Sequence, residues 1–283
     1  MCRFVAYMGN ETLIDNVLVK PSNSLVAQSL HARETTFVTN GDGFGLAWYA
    51  KDISPEPALF RAITPAWNNQ NLLNISSKVK TDCFFAHVRS ATDGGVNNNN
   101  CHPFRWKNYL FMHNGGVGGF AKVKRHLRHK LDDETYEWVK GETDTEHVFA
   151  LFVQNFKNIQ NPTPKDVVTT LKKTITEINE LVKKYSEEAI SHLNLCITDG
   201  EHMFISRYTS NKNISPASSL YYSKGSCFEY RDGDVHMTDP DKGEGCVLVC
   251  SEKLNDQTLE WHSVPENKLI IIKNGRQVDL CDL

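Results

Sequence analysis

The chain has 283 residues, 40% of them hydrophobic and 23% charged, which is enough to build one large globular domain or two small ones. Its 31 lysines and arginines nearly balance its 34 aspartates and glutamates, and a net charge of -3 gives nucleic-acid binding little support. No apolar stretch approaches the length of a membrane span, so we expect neither a nucleic-acid nor a membrane partner.

The cysteines and the first residues bear on the cellular compartment. Eight cysteines occur without the short, regular spacing of a disulfide framework. Residues 1–20 carry Arg3, Glu11 and Asp15 among their apolar residues, so no signal peptide is predicted. We therefore expect a cytoplasmic protein with reduced thiols. The basic run 122–130 is interpreted as a solvated helix face, with a phosphate or an acidic partner as the alternative.

Short runs of β-branched and aromatic residues alternate with helical patterns along the chain. The strands are predicted at 3–8, 44–49, 83–89, 109–113, 193–198, 203–208, 220–223, 246–250 and 269–273. The helices are predicted at 24–33, 69–79, 120–129, 143–155 and 165–185. Two groups of strands thus flank a central helical block, which favours an α+β layered fold in one domain over residues 2–283.

Cys2 is the first residue that can carry chemistry. If Met1 is removed, Cys2 holds both a thiol and a free α-amino group, a nucleophile and a base on one residue. An α-amine titrates near pH 8 and a thiol near 8.5, so proton transfer between them is almost balanced. The alternative is a chance cysteine that packs as a small hydrophobic residue.

A glycine-rich segment, Asn40-Gly41-Asp42-Gly43-Phe44-Gly45, precedes the second predicted strand. It lacks the third glycine of a dinucleotide-binding loop and the lysine of a phosphate-binding loop. A tight turn is predicted, with Asp42 near a substrate as a further possibility.

Arg89 stands at the end of a hydrophobic strand, on the same face as His87 and Cys83. An arginine held there suits a bidentate carboxylate contact, whereas a structural arginine would need a buried acidic partner. Nearby Cys101 and His102 add two more potential metal ligands, but their spacing with Cys83 and His87 is unlike that of common zinc sites, so no metal is expected.

Two further segments offer donors and acceptors. His113-Asn114-Gly115 ends a strand in a predicted glycine turn, where a side-chain amide and a backbone N–H can meet one oxyanion, or simply form a turn. Thr143-Asp144-Thr145-Glu146 begins a helix, with Thr143 as the cap and Glu146 three residues later. Asp144 can bind a cationic ammonium group or only favour the positive end of the helix dipole.

These segments together resemble the glutaminase domain of class II glutamine amidotransferases, which are N-terminal nucleophile hydrolases. The segments that match are Cys2, His87-Val88-Arg89-Ser90-Ala91-Thr92, His102-Pro103-Phe104, His113-Asn114-Gly115 and Thr143-Asp144-Thr145-Glu146. The opening Met1-Cys2-Arg3-Phe4, the 40–45 loop and the late segment 249–254 are similar to the narrower YafJ-like branch, which includes EgtC-type hydrolases and DUG-type amidotransferases.

The resemblance implies a four-layer αββα sandwich with no cofactor. It also implies that Cys2 attacks a γ-glutamyl carbonyl while Asn114 and Gly115 hold the oxyanion. The predicted substrate-binding residues are Arg89, Thr92, His102 and Asp144. Ser90 departs from the aromatic residue that the family has after the strand arginine, so that wall of the pocket is expected to differ.

The implied reaction releases glutamate from glutamine or from another γ-glutamyl amide or peptide. The alternatives are a glutaminase subunit that feeds ammonia to a separate synthase partner, and a γ-glutamyl-binding protein without turnover. His192 and the later cysteines, Cys196, Cys227, Cys246 and Cys250, are interpreted as core or surface residues rather than as a second site.

Overall fold

Two antiparallel sheets lie face to face in the computed structural model, which describes residues 2–35, 38–91, 94–231, 234–238, 245–256, 261–275 and 277–283. The strands are β1 (Arg3–Leu13), β2 (Phe44–Trp48), β3 (Ala58–Ala62), β4 (Lys80–Val88), β5 (Phe104–Trp106), β6 (Tyr109–Gly116), β7 (His192–Thr198), β8 (His202–Arg207), β9 (Tyr221–Gly225), β10 (Cys227–Arg231), β11 (Asp234–Thr238), β12 (Cys246–Cys250), β13 (His262–Ser263), β14 (Lys268–Lys273) and β15 (Gln277–Asp282).

The first sheet has seven strands in the order β13-β9-β12-β1-β4-β2-β3, and the second has six in the order β15-β14-β8-β7-β6-β5. Strands β10 and β11 form a separate hairpin. In the first sheet Arg3 is opposite Val88 and Val5 is opposite Cys250. The start of β1 therefore lies between the ends of β4 and β12.

Helices cover the outer face of each sheet. They are α1 (Asp15–Leu18), α2 (Leu25–Leu30), α3 (Gln70–Ser76), α4 (Phe120–Arg128), α5 (Asp133–Trp138), α6 (Asp144–Phe156) and α7 (Pro164–Tyr185), with 3₁₀ turns at Ala66–Asn68 and Asn98–Asn100. In the described ranges no helix is long and apolar enough to cross a membrane.

The strand period of two sends β1 side chains into two different cores. Phe4, Ala6 and Met8 pack between the sheets, while Val5 and Tyr7 face the outer layer of the first sheet. That layer contains α1, α2, α3 and the hairpin, and α4, α6 and α7 cover the second sheet. The predicted four-layer αββα sandwich is confirmed.

Each of the nine predicted strands and five predicted helices has a counterpart in the structure. Helix α2 is shorter than the predicted 24–33, because the chain leaves the helix after Leu30 and the Ala32 N–H bonds to the Val38 carbonyl at 2.7 Å. The structure adds β3, β5, β13, β15, the β10–β11 hairpin, α1 and α5.

Candidate active site

Cys2 lies immediately before β1 and contacts the chain that leaves β4. Its Sγ is 3.4 Å from the Ser90 amide nitrogen, which donates to it, and 3.5 Å from the Ser90 carbonyl oxygen. Burial raises the pKa of the Cys2 thiol, while the Ser90 backbone hydrogen bond and the charges of Arg89 and Arg3 act in the opposite direction. The thiol therefore needs a base to become a nucleophile at neutral pH.

Arg89 and the 40–45 turn hold each other by their backbones. The Arg89 N–H donates to the Gly43 carbonyl at 2.8 Å, and the Asp42 N–H donates to the Arg89 carbonyl at 3.0 Å. The Asp42 carboxylate accepts the Ala91 N–H at 2.8 Å. Asp42, for which the sequence left open a position near a substrate, thus fixes the segment whose Ser90 contacts Cys2.

The Arg89 side chain is buried and binds carbonyl groups of the following loop. Its Nη1 donates to the Gly95 oxygen at 3.1 Å and its Nη2 to the Gly94 oxygen at 3.3 Å. The amide of Asn100 also donates to the Gly95 oxygen, at 2.8 Å. Thr92, a predicted substrate-binding residue, lies outside the described residues.

Asn114 and Gly115 remain within a strand. The glycine turn predicted after His113 is wrong, because β6 continues to Gly116 and pairs with β7, with Asn114 opposite Asn194. Gly115 has φ +150°, and a Cβ there would be 1.9 Å from the His192 carbonyl oxygen, so no larger residue fits. The buried Asn114 Nδ2 is 3.1 Å from Ser251 Oγ.

Asp144 faces the backbone that follows this strand. One carboxylate oxygen accepts the Val117 N–H at 2.8 Å, and the other accepts the Thr145 N–H at 2.7 Å. The predicted cap is confirmed, since Thr143 Oγ1 accepts the Glu146 N–H at 3.2 Å. The Glu146 carboxylate does not return to the cap but accepts the N–H groups of residues 140 and 141.

Three buried histidines connect the His102-Pro103 segment to the strand of Asn114. His87 Nε2 lies 3.2 Å from the His113 carbonyl, so this nitrogen carries the proton and Nδ1 accepts from His102 Nδ1 at 3.3 Å. Burial lowers the pKa of His87 to about 3 and also lowers that of His102. Both rings are therefore neutral at physiological pH, and His87 fixes the backbone beside Asn114.

The described residues contain no cluster of three or more histidine, cysteine, aspartate or glutamate side chains placed to hold a metal ion. Among those residues the cysteines outside the hairpin carry free thiols; they are Cys2, Cys83, Cys101, Cys196, Cys246, Cys250 and Cys281. Cys196, Cys246 and Cys250 are buried in the two cores that border the sheets, as the sequence predicted.

Sequence reasoning gave no role to two residues that join the site together. Ser251 Oγ is 3.1 Å from both the Phe4 amide nitrogen and Asn114 Nδ2. Glu252 is buried and pairs with Arg3, the residue after Cys2, at 3.4 Å. A serine and a glutamate after an apolar strand carry no local signal of this role, although the segment 249–254 had already marked the narrower branch.

The predicted site residues that the structure describes lie toward one end of the two sheets. Cys2 contacts the end of β4, Ser251 connects β1 to Asn114 on β6, and Asp144 bonds to the backbone three residues beyond Asn114. A thiol, an amide, an arginine and a carboxylate thus lie on segments that these hydrogen bonds connect. Such a set can attack a carbonyl and bind a charged amino acid.

A family model of class-II glutamine amidotransferases matches residues 11–282 of this chain. The chain belongs to the class II glutamine amidotransferases. It is accordingly an enzyme, and the family chemistry is hydrolysis of the glutamine amide. The matched range begins downstream of Cys2. The match therefore gives no information on this residue, and its role has to be argued from the local geometry.

Curated relatives and solved structures agree with this membership. The probable glutamine amidotransferase DUG3 of Saccharomyces cerevisiae is 36% identical over 293 residues, covering 96% of this chain and 82% of its own length. A γ-glutamyl-hercynylcysteine sulfoxide hydrolase of Mycobacterium tuberculosis is 28% identical over 119 residues, covering 41% of this chain and 50% of its own length.

Two solved structures share the fold. The glutamine aminotransferase class-II domain protein of Silicibacter pomeroyi has a TM-score of 0.67 and 25% identity, covering 99% of this chain and 98% of its own. The glutamine phosphoribosylpyrophosphate amidotransferase of B. subtilis has a TM-score of 0.61, covers 99% of this chain and is itself covered over 49%. At 16% identity, the second likeness concerns the fold alone.

Proposed function

We propose that this enzyme hydrolyses the γ-glutamyl amide bond of glutamine or of a γ-glutamyl peptide or amide, with Cys2 as an N-terminal nucleophile. The observation that supports the proposal is that Ser251 Oγ lies within hydrogen-bond distance of both the Phe4 N–H, two residues after Cys2, and the Asn114 amide in a member of this family. We also propose that residues 2–283 act as one domain. The free thiols support a cytoplasmic location.

The proposed reaction starts with removal of Met1, which frees the α-amine of Cys2. This amine takes the thiol proton, which is otherwise retained because burial raises the pKa of the thiol. The sulfur then bonds to the δ-carbon of the substrate, and the carbonyl oxygen becomes an oxyanion. Asn114 and the N–H of Gly115 stabilise that charge.

Collapse of the oxyanion breaks the carbon–nitrogen bond, and the ammonium of Cys2 returns its proton to the leaving amine. A γ-glutamyl thioester remains on the sulfur. Water, deprotonated by the same α-amine, attacks the thioester and releases glutamate and the free thiol. Each proton that the amine accepts is returned, so the enzyme ends in its starting state.

The substrate's α-amino acid group is the second element of the proposal. Arg89, together with Thr92, binds the α-carboxylate, since a guanidinium carries five N–H donors and the loop carbonyls of Gly94 and Gly95 orient it. Asp144 binds the α-ammonium, because its carboxylate oxygens can accept further hydrogen bonds besides those from the Val117 and Thr145 N–H groups. His102 shapes the wall of this pocket from its contact with His87.

Glutamate release tests the proposal. Purified protein, with loss of Met1 verified by intact mass, is incubated with glutamine, glutathione and other γ-glutamyl amides. We expect glutamate from the wild type, none from Cys2→Ala, and a loss of ~10²–10³ in rate for Asn114→Ala. Cys281→Ala, which removes another half-buried thiol on β15, is the matched control and should remain active.

The outcomes separate the candidate functions. No glutamate from any substrate, with Met1 removed, would refute the hydrolase. Glutamate that forms only after a second protein is added would favour a glutaminase subunit that supplies ammonia to a synthase. Tight binding of a γ-glutamyl compound without turnover would favour the binding protein.

A further inference from the structure

Ser251 occupies the junction between the two sheets at the candidate site. It follows β12 directly and is fully buried. Its N–H donates to the Phe4 carbonyl at 3.1 Å, and its carbonyl accepts the Ser219 hydroxyl at 2.9 Å. The backbone of Ser251 is therefore held on both sides, and its hydroxyl has a fixed place between Phe4 and Asn114.

The hydrogen bonds around this hydroxyl leave two groups unmatched. Ser251 Oγ is close to two donors, the Phe4 N–H and Asn114 Nδ2, so its own proton meets no acceptor among the described residues. Asn114 Oδ1 is likewise buried and has no hydrogen-bond partner among the described residues. A buried polar group without a hydrogen-bond partner is destabilising.

One change satisfies both groups. If the Asn114 amide turns by 180° about its Cβ–Cγ bond, the oxygen takes the place of the nitrogen beside Ser251. The serine hydroxyl then accepts the Phe4 N–H and donates its proton to Asn114 Oδ1. Nδ2 then occupies the former position of Oδ1, where the described residues offered no hydrogen-bond partner, so its N–H groups are available to a ligand.

We propose that Ser251 is the positioning residue of the oxyanion amide. Its hydroxyl holds Asn114 Oδ1 and so directs an Nδ2 N–H to the carbonyl oxygen of the substrate. Because the same hydroxyl accepts the Phe4 N–H, it also ties the amide to the strand that begins beside Cys2. The inference rests on the proposed oxyanion role of Asn114.

This role has a kinetic signature. The negative charge on the carbonyl oxygen develops only on the way to the transition state, so loss of the amide's orientation lowers kcat and leaves KM nearly unchanged. A serine that merely joins the two sheets would act independently of Asn114. The two roles therefore differ in how the effects of Ser251 and Asn114 substitutions combine.

A double-mutant cycle tests the proposal with glutamate release from whichever γ-glutamyl amide the wild type hydrolyses. We expect Ser251→Ala to lower kcat at least ~10-fold, less than the ~10²–10³ of removing a complete oxyanion donor, with KM within about twofold. In an Asn114→Ala background, the same substitution should change kcat by less than about twofold, because its target is gone.

Thr81→Val is the matched control. Thr81 is a buried hydroxyl at the opposite end of β4, where it accepts the Cys83 N–H and donates to the Tyr49 carbonyl. Thr81→Val should leave kcat unchanged. In the double variant, the fold-changes in kcat of Thr81→Val and Asn114→Ala should multiply. Thermal unfolding reports the stability of each variant. If Ser251→Ala does not fold, Ser251→Cys, which keeps a weak donor and acceptor, enters the same cycle under the same criteria.

Multiplicative effects of Ser251→Ala and Asn114→Ala would overturn the proposal, as would a raised KM with unchanged kcat. The underlying function fails separately. Full activity in Asn114→Ala would remove the oxyanion role itself, whereas a slow Asn114→Ala beside a fully active Ser251→Ala would leave that role standing and refute only the inference about Ser251.

Discussion

Replacing Glu252 by glutamine tests the buried ion pair next to the nucleophile. The Glu252 carboxylate accepts the backbone N–H groups of Arg33 and Glu34, both at 2.9 Å, and lies 3.4 Å from Arg3 Nη1. The side chains of Arg3 and Glu252 are 0% and 1% exposed. The pair therefore joins the start of β1 to the segment 33–34 with little screening by water.

The expected cost follows from these contacts. Glutamine has nearly the shape of glutamate, but it removes the negative charge that acts most strongly on Arg3 and turns an NH₂ group toward one of the two backbone donors. Loss of one partner from a buried ion pair costs ~3–5 kcal/mol. The free energy of unfolding should fall by that amount, and the melting temperature by roughly 5–8 °C.

Urea denaturation at pH 7.5, followed by far-UV circular dichroism, measures the effect. Asp256→Asn is the control, because Asp256 also pairs with an arginine, Arg33, but the two side chains are 86% and 48% exposed. That substitution should cost less than ~1 kcal/mol. A Glu252→Gln variant within about 1 kcal/mol of the wild type would refute the reasoning from buried charge.

Two further predictions concern substrate charge and pH. Asp144→Asn should raise KM at least ~30-fold for a γ-glutamyl amide with a free α-ammonium, but little for its N-acetyl derivative, and an equal effect on both would contradict the assigned contact. Burial lowers the pKa of His147 to about 4, so neutral His147 stabilises the fold above pH 6.5, and this stability is lost as the pH falls toward 4. Between pH 7.5 and 5.5 the wild type should lose ~1.4 kcal/mol more than His147→Asn in urea denaturation, and identical losses would contradict the prediction.

Local signals identified the helices and strands that have strong patterns. Helix α7 begins where Thr163 and Asp166 form a capping box around Pro164, three neighbours that the sequence displays directly. The β10–β11 hairpin and β15 escaped prediction because their residues mix polar and apolar types, and their strand character depends on a pairing partner. The end of β6 was misjudged because pairing with β7 outweighs the turn preference of Asn-Gly.

Strand periodicity and the helix cap at Thr143 are local features, so they could be recognised in the sequence together with the residue types of the site. The family and its four-layer fold followed from the resemblance that the five segments carry in their order. The contacts between these groups, in contrast, became known from the packing of the two sheets. Ser251 meets Asn114 across 137 residues, and Arg3 meets Glu252 through the register of β1 and β12. Such contacts depend on how two sheets stack and align, and no local preference of a serine or a glutamate encodes that alignment.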